Sequence, residues 1–573
     1  MKLAHSNLAL WHFVRSLRLK NIRFDNVSGD FFGGLTAAIV ALPLALAFGV
    51  SSGGGAIAGL YGAIIVGFLA ALFGGTPSQI SGPTGPMSVV MASIFLWARG
   101  QSGGLELAFT IIILGGLLQI LFGVLKLGKY ITLIPYTVVS GFMSGIGAII
   151  ILLQIGPLLG DPGEGGVVAS VRHYPHVFTH INPFAAGIGL LTLAIVFRYP
   201  RRLNRIMPAP LTALVIGTIA TAVTTHFLHH SNIPIIGEIP KGLPELHLPH
   251  LDFGNLSSML GYSLMLAALG SIDSLLTSIV ADNITRTEHD SNQELIGQGI
   301  GNTLSGLLGG LPGAGATMRT VVNVQAGGRT SLSGMFHAVV LASALFGARG
   351  VVSQIPHAVL AGILIKVGID IIDWGFLKRA HKISRKAALI MYSVMLLTVF
   401  VDLITAVAIG VFVANILALQ RQAEVLGHQM KAIKRPDEDD SLNIEEREII
   451  AQANGRILLF SLGGPMSFGA AKTISRRLAI VGNYDALILD FSDVPFIGVT
   501  ASLAIENMVK EAVSRNRRVY VVGAHGDVEN RLQRLNIYNR FPANHRVATR
   551  LEALRMANYE VVLSDNISDV VTG

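Results

Sequence analysis

Long apolar segments separated by short polar stretches fill the chain from about residue 29 to about residue 420. Each segment runs for roughly 15–22 residues, the length of α-helix that crosses a hydrocarbon core of about 30 Å. About fourteen segments can be placed, and they begin near Phe31, Ile57, Thr84, Leu105, Thr132, Pro183, Leu211, Leu260, Leu295, Thr317, Gly334, Ala358, Ala387 and Leu403. The pattern predicts a polytopic α-helical membrane protein that spans the lipid bilayer over residues 29–420.

The C-terminal part of the chain, residues 455–565, follows a different pattern. Short β-branched or apolar runs at 456–460, 486–490 and 518–523 alternate with amphipathic stretches around 470–478 and 501–514. Strands that alternate with helices predict a small α/β domain. The charged residues 421–454 predict a linker, and the basic residues 1–28 predict an N-terminal cytoplasmic segment.

The composition supports the membrane prediction. Hydrophobic residues make up 51% of the chain and charged residues 14%, whereas a soluble protein carries about 25% charged residues. The formal net charge of +8 does not indicate nucleic-acid binding, because the Lys and Arg residues of the membrane region lie mainly in short loops between the apolar segments. No cysteine is present, so a disulfide is excluded.

The distribution of basic residues among the loops predicts the orientation in the membrane. If the N-terminus lies inside, the even-numbered loops carry most of the Lys and Arg: Lys126, Lys129, 198–205, Arg286, Arg329 and 378–386. Cytoplasmic loops are enriched in these residues. We therefore expect a multi-pass protein of the cell inner (plasma) membrane with both termini in the cytoplasm.

A faint internal repeat divides the membrane region into two halves. Residues 41–45 are echoed at 271–275, and the glycine-rich stretch 81–87 is echoed at 313–318. Seven segments, an odd number, separate the copies, so the two halves must be inverted relative to each other. Paired broken helices in inverted halves are typical of a substrate site near the bilayer midplane.

Two residues of one apolar segment indicate a site for a cation. A carboxylate such as Asp273 costs about 2.5–3.5 kcal/mol at the centre of a spanning helix, so intramembrane acids are usually functional. Thr277 lies one helical turn away on the same face. The pair suits Na⁺ or a transferable proton, and the alternative is a structural hydrogen bond to a neighbouring helix.

The helix starts at Thr84 and Thr317 indicate a site for an anion. A free helix N-terminus offers unpaired N–H groups and about half a positive charge, so two facing starts would bind an anion largely through backbone. Alternatively, the glycines only allow tight helix packing. Arg319 lies two residues into the second helix, and three placements of its side chain are open. It faces this cavity, it pairs with Asp273, or it reaches the cytoplasmic interface.

These features favour a secondary active transporter of a small inorganic anion. The sequence holds neither a Ser/His/Asp set nor an HExxH motif, so we expect no enzyme and no cofactor beyond Na⁺ as a possible coupling ion. A protein of another class, a membrane-anchored signalling receptor that acts through its C-terminal domain, is the alternative. An inverted repeat and a buried carboxylate argue against it, since a sensor needs neither.

Two long motifs, residues 282–289 and 294–302, resemble the SulP (sulfate permease) anion transporter family. Residues 73–77, 135–145 and 367–374 are similar to the bicarbonate-transporting branch of that family. The resemblance implies a seven-plus-seven inverted-repeat fold shared with uracil permeases, a core domain that moves against a gate domain, and a homodimer. It also implies uptake of bicarbonate coupled to Na⁺ or H⁺, with sulfate or another oxyanion as the alternative.

The resemblance also implies the roles of the site residues. The substrate-binding residues would be Thr84, Gly315, Ala316, Thr317 and Arg319, and the coupling-ion residues would be Asp273, Thr277 and Thr317. The resemblance implies a glycine at this position in the bicarbonate branch, so Arg319 departs from that pattern. An arginine here resembles the wider family, in which it helps to bind the anion.

Residues 490–503 resemble the strand-turn-helix core of a STAS domain. Soluble members of this kind typically have Asp-Ser-Ser-Gly where this chain has Gly498-Val499-Thr500-Ala501. The usual phosphorylated serine is missing, although Thr500 keeps a hydroxyl. Binding of a cytoplasmic protein partner by this domain stays open.

Overall fold

The computed structural model describes residues 22–133, 135–161, 166–200, 203, 207–228, 233–237, 244–347, 349–401, 403–428, 430–466, 474, 476 and 483–572. The chain divides into two compact units, one that ends at Phe412 and one that begins at Val413. Most of the predicted N-terminal segment 1–28 and most of the predicted helix around 470–478 lie outside the described residues.

Helices occupy the fourteen predicted segments, and they are numbered α1–α14 in chain order. They are α1 Val27–Ser51, α2 Ala56–Phe73, α3 Gly85–Arg99, α4 Gly104–Val124, α5 Tyr136–Leu159, α6 Pro183–Arg198, α7 Ala209–Leu228, α8 Leu256–Thr285, α9 Ser291–Leu307, α10 Thr317–Gln325, α11 Ser331–Gly347, α12 His357–Ile371, α13 Arg385–Phe400 and α14 Leu403–His428. An additional amphipathic helix, Val167–Thr179, precedes α6.

One helix begins later than its apolar pattern predicts. The pattern places the start of α5 near Thr132, but Leu127–Leu133 forms a 3₁₀-helix and α5 begins at Tyr136. Pro135 has extended backbone angles at the N-cap of α5. A proline disfavours the helical conformation for the residue before it, so the α-helix begins only after Pro135.

Only some helices are long and apolar enough to span a bilayer unaided. Among the described residues these are α1, α2, α4, α5 and the segment Phe253–Thr285, which contains α8. The helix Val167–Thr179 and α6 would make a sixth span as a pair, bent by 115°. By contrast, α3 has 15 residues and α10 has 9, so both are too short to cross the whole core.

The first unit consists of two bundles, and each bundle takes helices from both halves of the chain. In the first bundle α4 packs against α8 and α9, and α11 packs against α1 and α2. In the second bundle α5 packs against α12 and α13, and α6 packs against α7 and α12. Small residues permit the close approach: a Cβ on Gly299 of α9 would come within 2.6 Å of the Gly116 carbonyl oxygen of α4.

Two extended segments meet inside the first bundle. Strand β1, Ser81–Gly82, pairs antiparallel with strand β2, Ala314–Gly315. Irregular backbone at membrane depth must find its hydrogen bonds within the protein, and this pairing supplies part of them. The Ala316 N–H also donates to the Ile80 carbonyl oxygen at 2.8 Å, and the Ile80 N–H donates to Thr320 Oγ1 at 3.0 Å.

A buried carboxylate holds the loop that leads into β1. Glu294 of α9 is 1% exposed, and its two oxygens accept hydrogen bonds from four N–H donors. The donors and distances are Gly75 N at 2.9 Å, Thr76 N at 2.9 Å, Gln79 Nε2 at 2.6 Å and Gln298 Nε2 at 2.8 Å. A fully bonded carboxylate of this kind fixes the loop, because breaking the network leaves buried polar groups without partners.

The second unit is an α/β domain around a five-stranded sheet in the order β3-β4-β5-β6-β7. The strands are β3 Lys431–Ile433, β4 Ile457–Gly463, β5 Ala486–Asp493, β6 Arg518–Val522 and β7 Arg546–Val547. The helices described in full are α15 Ile444–Gln452, α16 Val499–Ser514, α17 Gly526–Arg534 and α18 Arg550–Thr572. Strand β3 is antiparallel to β4, and the other pairs are parallel.

The predicted linker 421–454 differs from the structure, because this range contains β3 and α15. Its charged residues belong to the domain: Asn443 and Glu446 form a capping box at the start of α15, and Arg550 of α18 donates to Glu446 Oε1 at 2.9 Å. Such pairing explains why charge alone was a poor guide to a linker. The other boundaries, 1–28, 29–420 and 455–565, stay predictions.

We predict that Glu294→Ala strongly lowers the thermal stability of the purified protein in detergent. The change leaves the buried Gly75 and Thr76 N–H groups without an acceptor and removes one acceptor from the Gln79 and Gln298 amides, which keep Ser81 Oγ. Each unsatisfied buried group costs about 1–3 kcal/mol. The melting temperature followed by intrinsic fluorescence should fall well below that of wild type. The matched control is Glu288→Ala, which removes an exposed glutamate and should leave melting unchanged. Equal melting of the two variants would refute a structural role for Glu294.

Candidate anion and cation site

The two short helices begin at the same level of the protein. Helix α3 follows β1 after Pro83 and Thr84, and α10 follows β2 after Ala316. Because β1 and β2 are antiparallel neighbours, the helices leave the pair in opposite directions with their N-termini close together. The helix starts near Thr84 and Thr317 therefore follow two strands that are hydrogen-bonded neighbours.

The helix starts keep backbone donors available. Thr84 is the N-cap of α3 and Ala316 is the N-cap of α10, both with extended backbone, and neither side chain makes a capping hydrogen bond in the described structure. In α3 the second position is Pro86, which has no N–H, so α10 offers more donors than α3. Uncapped N–H groups at a helix start favour an anion.

Helix α8 brings its polar residues against β2 and α10. Thr277 Oγ1 donates to the Gly315 carbonyl oxygen at 3.0 Å and lies 2.8 Å from Thr317 Oγ1. Since the Thr277 proton is used on Gly315, Thr317 donates within the hydroxyl pair and keeps its own lone pairs. Ser274 Oγ accepts from the Gly315 N–H at 3.0 Å.

Three buried polar atoms converge at the helix starts without a hydrogen-bond partner among the described residues. They are Thr84 Oγ1, Asp273 Oδ2 and Arg319 Nη1. The Thr84 side chain lies beside the Asp273 carboxylate, but Thr84 Oγ1 and Asp273 Oδ2 do not meet the geometry of a hydrogen bond. Buried polar groups are normally paired, so three unpaired ones at a single place indicate that a ligand completes the site.

Arg319 is buried and crosses from α10 to the chain before α3. It is 2% exposed, so it does not reach the cytoplasmic interface. Its Nη2 donates to the Pro83 carbonyl oxygen at 2.7 Å. The guanidinium interacts electrostatically with Asp273, but no ion pair within 4.0 Å joins these two described residues. Both charges therefore remain near the helix starts without direct contact.

Two glycines make room for this arrangement. Gly82 has a φ of +150°, and a Cβ there would lie 2.9 Å from Arg319 Nη1. A Cβ on Gly315 would lie 2.5 Å from Gln79 Nε2. The side chains of Arg319 and Gln79 thus occupy space that any other residue at these glycines would fill.

Apolar residues of the second bundle close over the start of α3. A Cβ on Gly85 would lie 2.6 Å from Ile371 Cδ1 of α12 and 3.1 Å from Ile150 Cδ1 of α5. The site therefore lies where the two bundles meet. Ile150 and Ile371 carry no chemical signal in the sequence. Ser274, by contrast, belongs to a polar stripe on one face of α8, formed by Ser271, Ser274 and Ser278, that is visible in the sequence.

Two broken helices that meet at their N-termini, beside an intramembrane carboxylate and arginine, define an inverted-repeat membrane transporter. The chain belongs to the sulfate permease family. The family model described as the sulfate permease family matches residues 27–394, and the STAS domain model matches residues 448–552.

The similar proteins agree with this assignment. The Bicarbonate transporter BicA of Picosynechococcus sp. is 51% identical over 542 residues, which cover 94% of this chain and 95% of that protein. The solved transmembrane domain of a cyanobacterium bicarbonate transporter BicA is 54% identical, covers 68% of this chain and 100% of its own, and has a TM-score of 0.65. Murine Slc26a9, an anion transporter solved in the inward-facing state, covers 94% of this chain and 93% of its own at a TM-score of 0.79; its 18% identity shows the fold alone.

These comparisons confirm the predicted family, the seven-plus-seven inverted-repeat fold and the STAS domain. The chain is therefore a transporter, and the alternative prediction of a membrane-anchored signalling receptor is set aside. The roles of the individual site residues stay predictions.

We predict that Gly82→Ala impairs anion transport without loss of folded protein. The added Cβ meets Arg319 Nη1, and alanine must take a φ angle that is unfavourable for it. Backbone strain of this kind costs about 1–3 kcal/mol. Initial anion uptake into proteoliposomes should fall roughly 5- to 150-fold if this strain acts on the bound state. The control is Gly187→Ala in α6, where a Cβ meets nothing within 4 Å. Wild-type uptake by Gly82→Ala would show that the Arg319 position is unimportant.

Proposed function

We propose that this protein takes up bicarbonate together with Na⁺ by alternating access. The observation that carries the proposal is the convergence of three unpaired buried atoms, Thr84 Oγ1, Asp273 Oδ2 and Arg319 Nη1, at two helix starts. The names of the similar bicarbonate transporters support the choice of substrate.

In this proposal the anion lies between the starts of α3 and α10. The Thr84 hydroxyl and Arg319 Nη1 donate to it, and so do the uncapped N–H groups in the first turn of α10, which begins at Thr317. Backbone donors suit the flat, multi-oxygen shape of bicarbonate because they need no rearrangement when the anion arrives. The Arg319 guanidinium adds charge-assisted hydrogen bonds, which are stronger than neutral ones.

The coupling cation takes the oxygen atoms beside the anion. The Asp273 carboxylate supplies the negative charge, and the hydroxyl oxygens of Thr277 and Thr317 supply further ligands. Thr317 is suited to this role because it donates its proton to Thr277 and keeps its lone pairs. Oxygen ligands near a broken helix are the usual way in which transporters hold Na⁺.

Charge balance favours one Na⁺ for each monovalent anion. Asp273 and Arg319 sum to zero, so bicarbonate alone would leave one net negative charge in a medium where uncompensated charge is costly. One Na⁺ restores neutrality. Sulfate, with two negative charges, would need a second cation or a protonated Asp273, which makes it the weaker candidate at this site.

Movement between the bundles would expose the site to either side of the membrane. The helix starts and Asp273 belong to the first bundle, and the apolar side chains of Ile150 and Ile371 of the second bundle lie against Gly85. Such a contact can slide without breaking a hydrogen bond. The proposal also includes the inner-membrane location with cytoplasmic termini, the homodimer, and a cytoplasmic protein partner for the STAS domain.

We predict that Asp273→Asn abolishes Na⁺-driven uptake of labelled bicarbonate. Asparagine keeps the shape of the side chain but removes the charge that balances Na⁺. Proteoliposomes with an inward Na⁺ gradient should accumulate label with the wild type and stay near background with the variant. Asp290→Asn, at an exposed acid, is the matched control. Unchanged sodium-driven flux through Asp273→Asn would disprove its role in coupling.

The same vesicles separate bicarbonate from sulfate. Excess unlabelled bicarbonate should suppress uptake of the label, whereas equal sulfate should leave most of it, for the charge reason given above. Suppression by sulfate as strong as that by bicarbonate would make the protein a general oxyanion permease. Uptake that is indifferent to Na⁺ but follows a proton gradient would replace Na⁺ by H⁺ as the coupling ion.

A further inference from the structure

A group of side chains of the types that bind metal ions lies away from the anion site, at the C-terminal end of α5 and on the helix Val167–Thr179. Asp161 follows the C-cap residue of α5, and its N–H donates to the Gly156 carbonyl oxygen at 3.0 Å. His173 and His176 lie three residues apart on the amphipathic helix, so they share one face.

Two hydrogen bonds hold the amphipathic helix against α5. Tyr174 Oη donates to the Leu152 carbonyl oxygen of α5 at 2.6 Å, which fixes the amphipathic helix against α5. The Asn182 N–H donates to the Leu159 carbonyl oxygen at 3.0 Å and returns the end of that helix to the end of α5. Asp161 and His173 therefore lie on two segments that are hydrogen-bonded to each other.

The three ligand atoms are spaced for a metal ion. Asp161 Oδ2 lies 3.3 Å from His173 Nε2 and 3.9 Å from His176 Nδ1, and all three atoms lie within 4.8 Å of one another. A tetrahedral Zn²⁺ ion with bonds of about 2.0–2.1 Å requires ligand atoms roughly 3.3 Å apart. The His176 side chain is 54% exposed, so it has room for the small movement that would close the set.

A neighbouring histidine supports the orientation of this group. The ring of His180 stacks on that of His176 with centroids 4.2 Å apart, and His180 Nδ1 lies 3.1 Å from the His176 carbonyl oxygen. The rings of His173 and His176 also stack, at 4.7 Å. Stacking against two neighbouring rings restricts the orientation of the His176 imidazole.

We propose that Asp161, His173 and His176 bind a divalent transition-metal ion of the Zn²⁺ type. Two imidazole nitrogens and one carboxylate oxygen are a donor set that suits this class of ion. Three protein ligands leave a fourth position for water or a small anion. The ion would tie the end of α5 to the amphipathic helix, on the side of the membrane that the Lys and Arg distribution predicts to be external.

The test is calorimetric titration of Zn²⁺ into the full-length, tag-free, metal-stripped protein in lipid nanodiscs. We expect His173→Ala to weaken one class of site by more than the roughly 10- to 100-fold that loss of an outer partner costs. Asp161→Asn, which preserves side-chain shape, should do the same if His173→Ala folds poorly. The control is His247→Asn, a histidine that stacks on Phe109 elsewhere and should leave this site unchanged.

X-ray absorption at the zinc edge gives a readout that folding alone does not move. The wild type at one Zn²⁺ per chain should show two imidazoles and oxygen ligands, and Asp161→Asn and His173→Ala should lose that signature. Equal binding by wild type and both variants would overturn the proposal, as would a wild type without tight binding. Because this test measures metal and not flux, its failure is distinct from failure of the proposed transport function.

Discussion

The structure depends on solving one constraint: two helices must begin in the middle of a membrane protein without leaving their approach segments unbonded. Lipid offers no hydrogen bonds, so irregular backbone at this depth needs protein partners. The pair β1–β2 supplies them for the extended segments, and Glu294 supplies them for the loop before β1. Among the described buried side-chain atoms that keep no hydrogen-bond partner in this region, Thr84 Oγ1, Asp273 Oδ2 and Arg319 Nη1 lie at the helix starts.

The chemistry of the site follows from its two fixed charges. Asp273 and Arg319 lie near each other but without an ion pair, so neither cancels the other by contact. A guanidinium and helix starts attract an anion, while a carboxylate with two threonine hydroxyls attracts a cation. In the proposed function, joint loading with an anion and a cation would be favoured over loading with either one alone. This is the physical basis on which coupling is proposed.

Much of this fold was predictable because lipid leaves helices as the main choice, so apolar length located the fourteen helices. Asp273 was predictable from the cost of a charge in an apolar segment, and the two helix starts from the repeated glycine-rich motif. The β1–β2 register was not predictable, because two-residue strands have no period and lie about 230 residues apart. The direction of Arg319 depended on the space at Gly82, and Ile150 and Ile371 look like any lipid-facing isoleucine. Residues 421–454 resemble a linker because they are rich in charged residues, although they contain β3 and α15.

The most direct test of the account is a high-resolution electron cryo-microscopy map of the protein in lipid nanodiscs with bicarbonate, collected with Na⁺ and with choline. The account predicts that, with Na⁺, density for an anion touches Thr84, Arg319 and the first N–H groups of α10. It also predicts a second density between Asp273 and Thr317, and loss of both in choline. Anion density at some other place, or an Asp273 carboxylate that faces lipid, would contradict it.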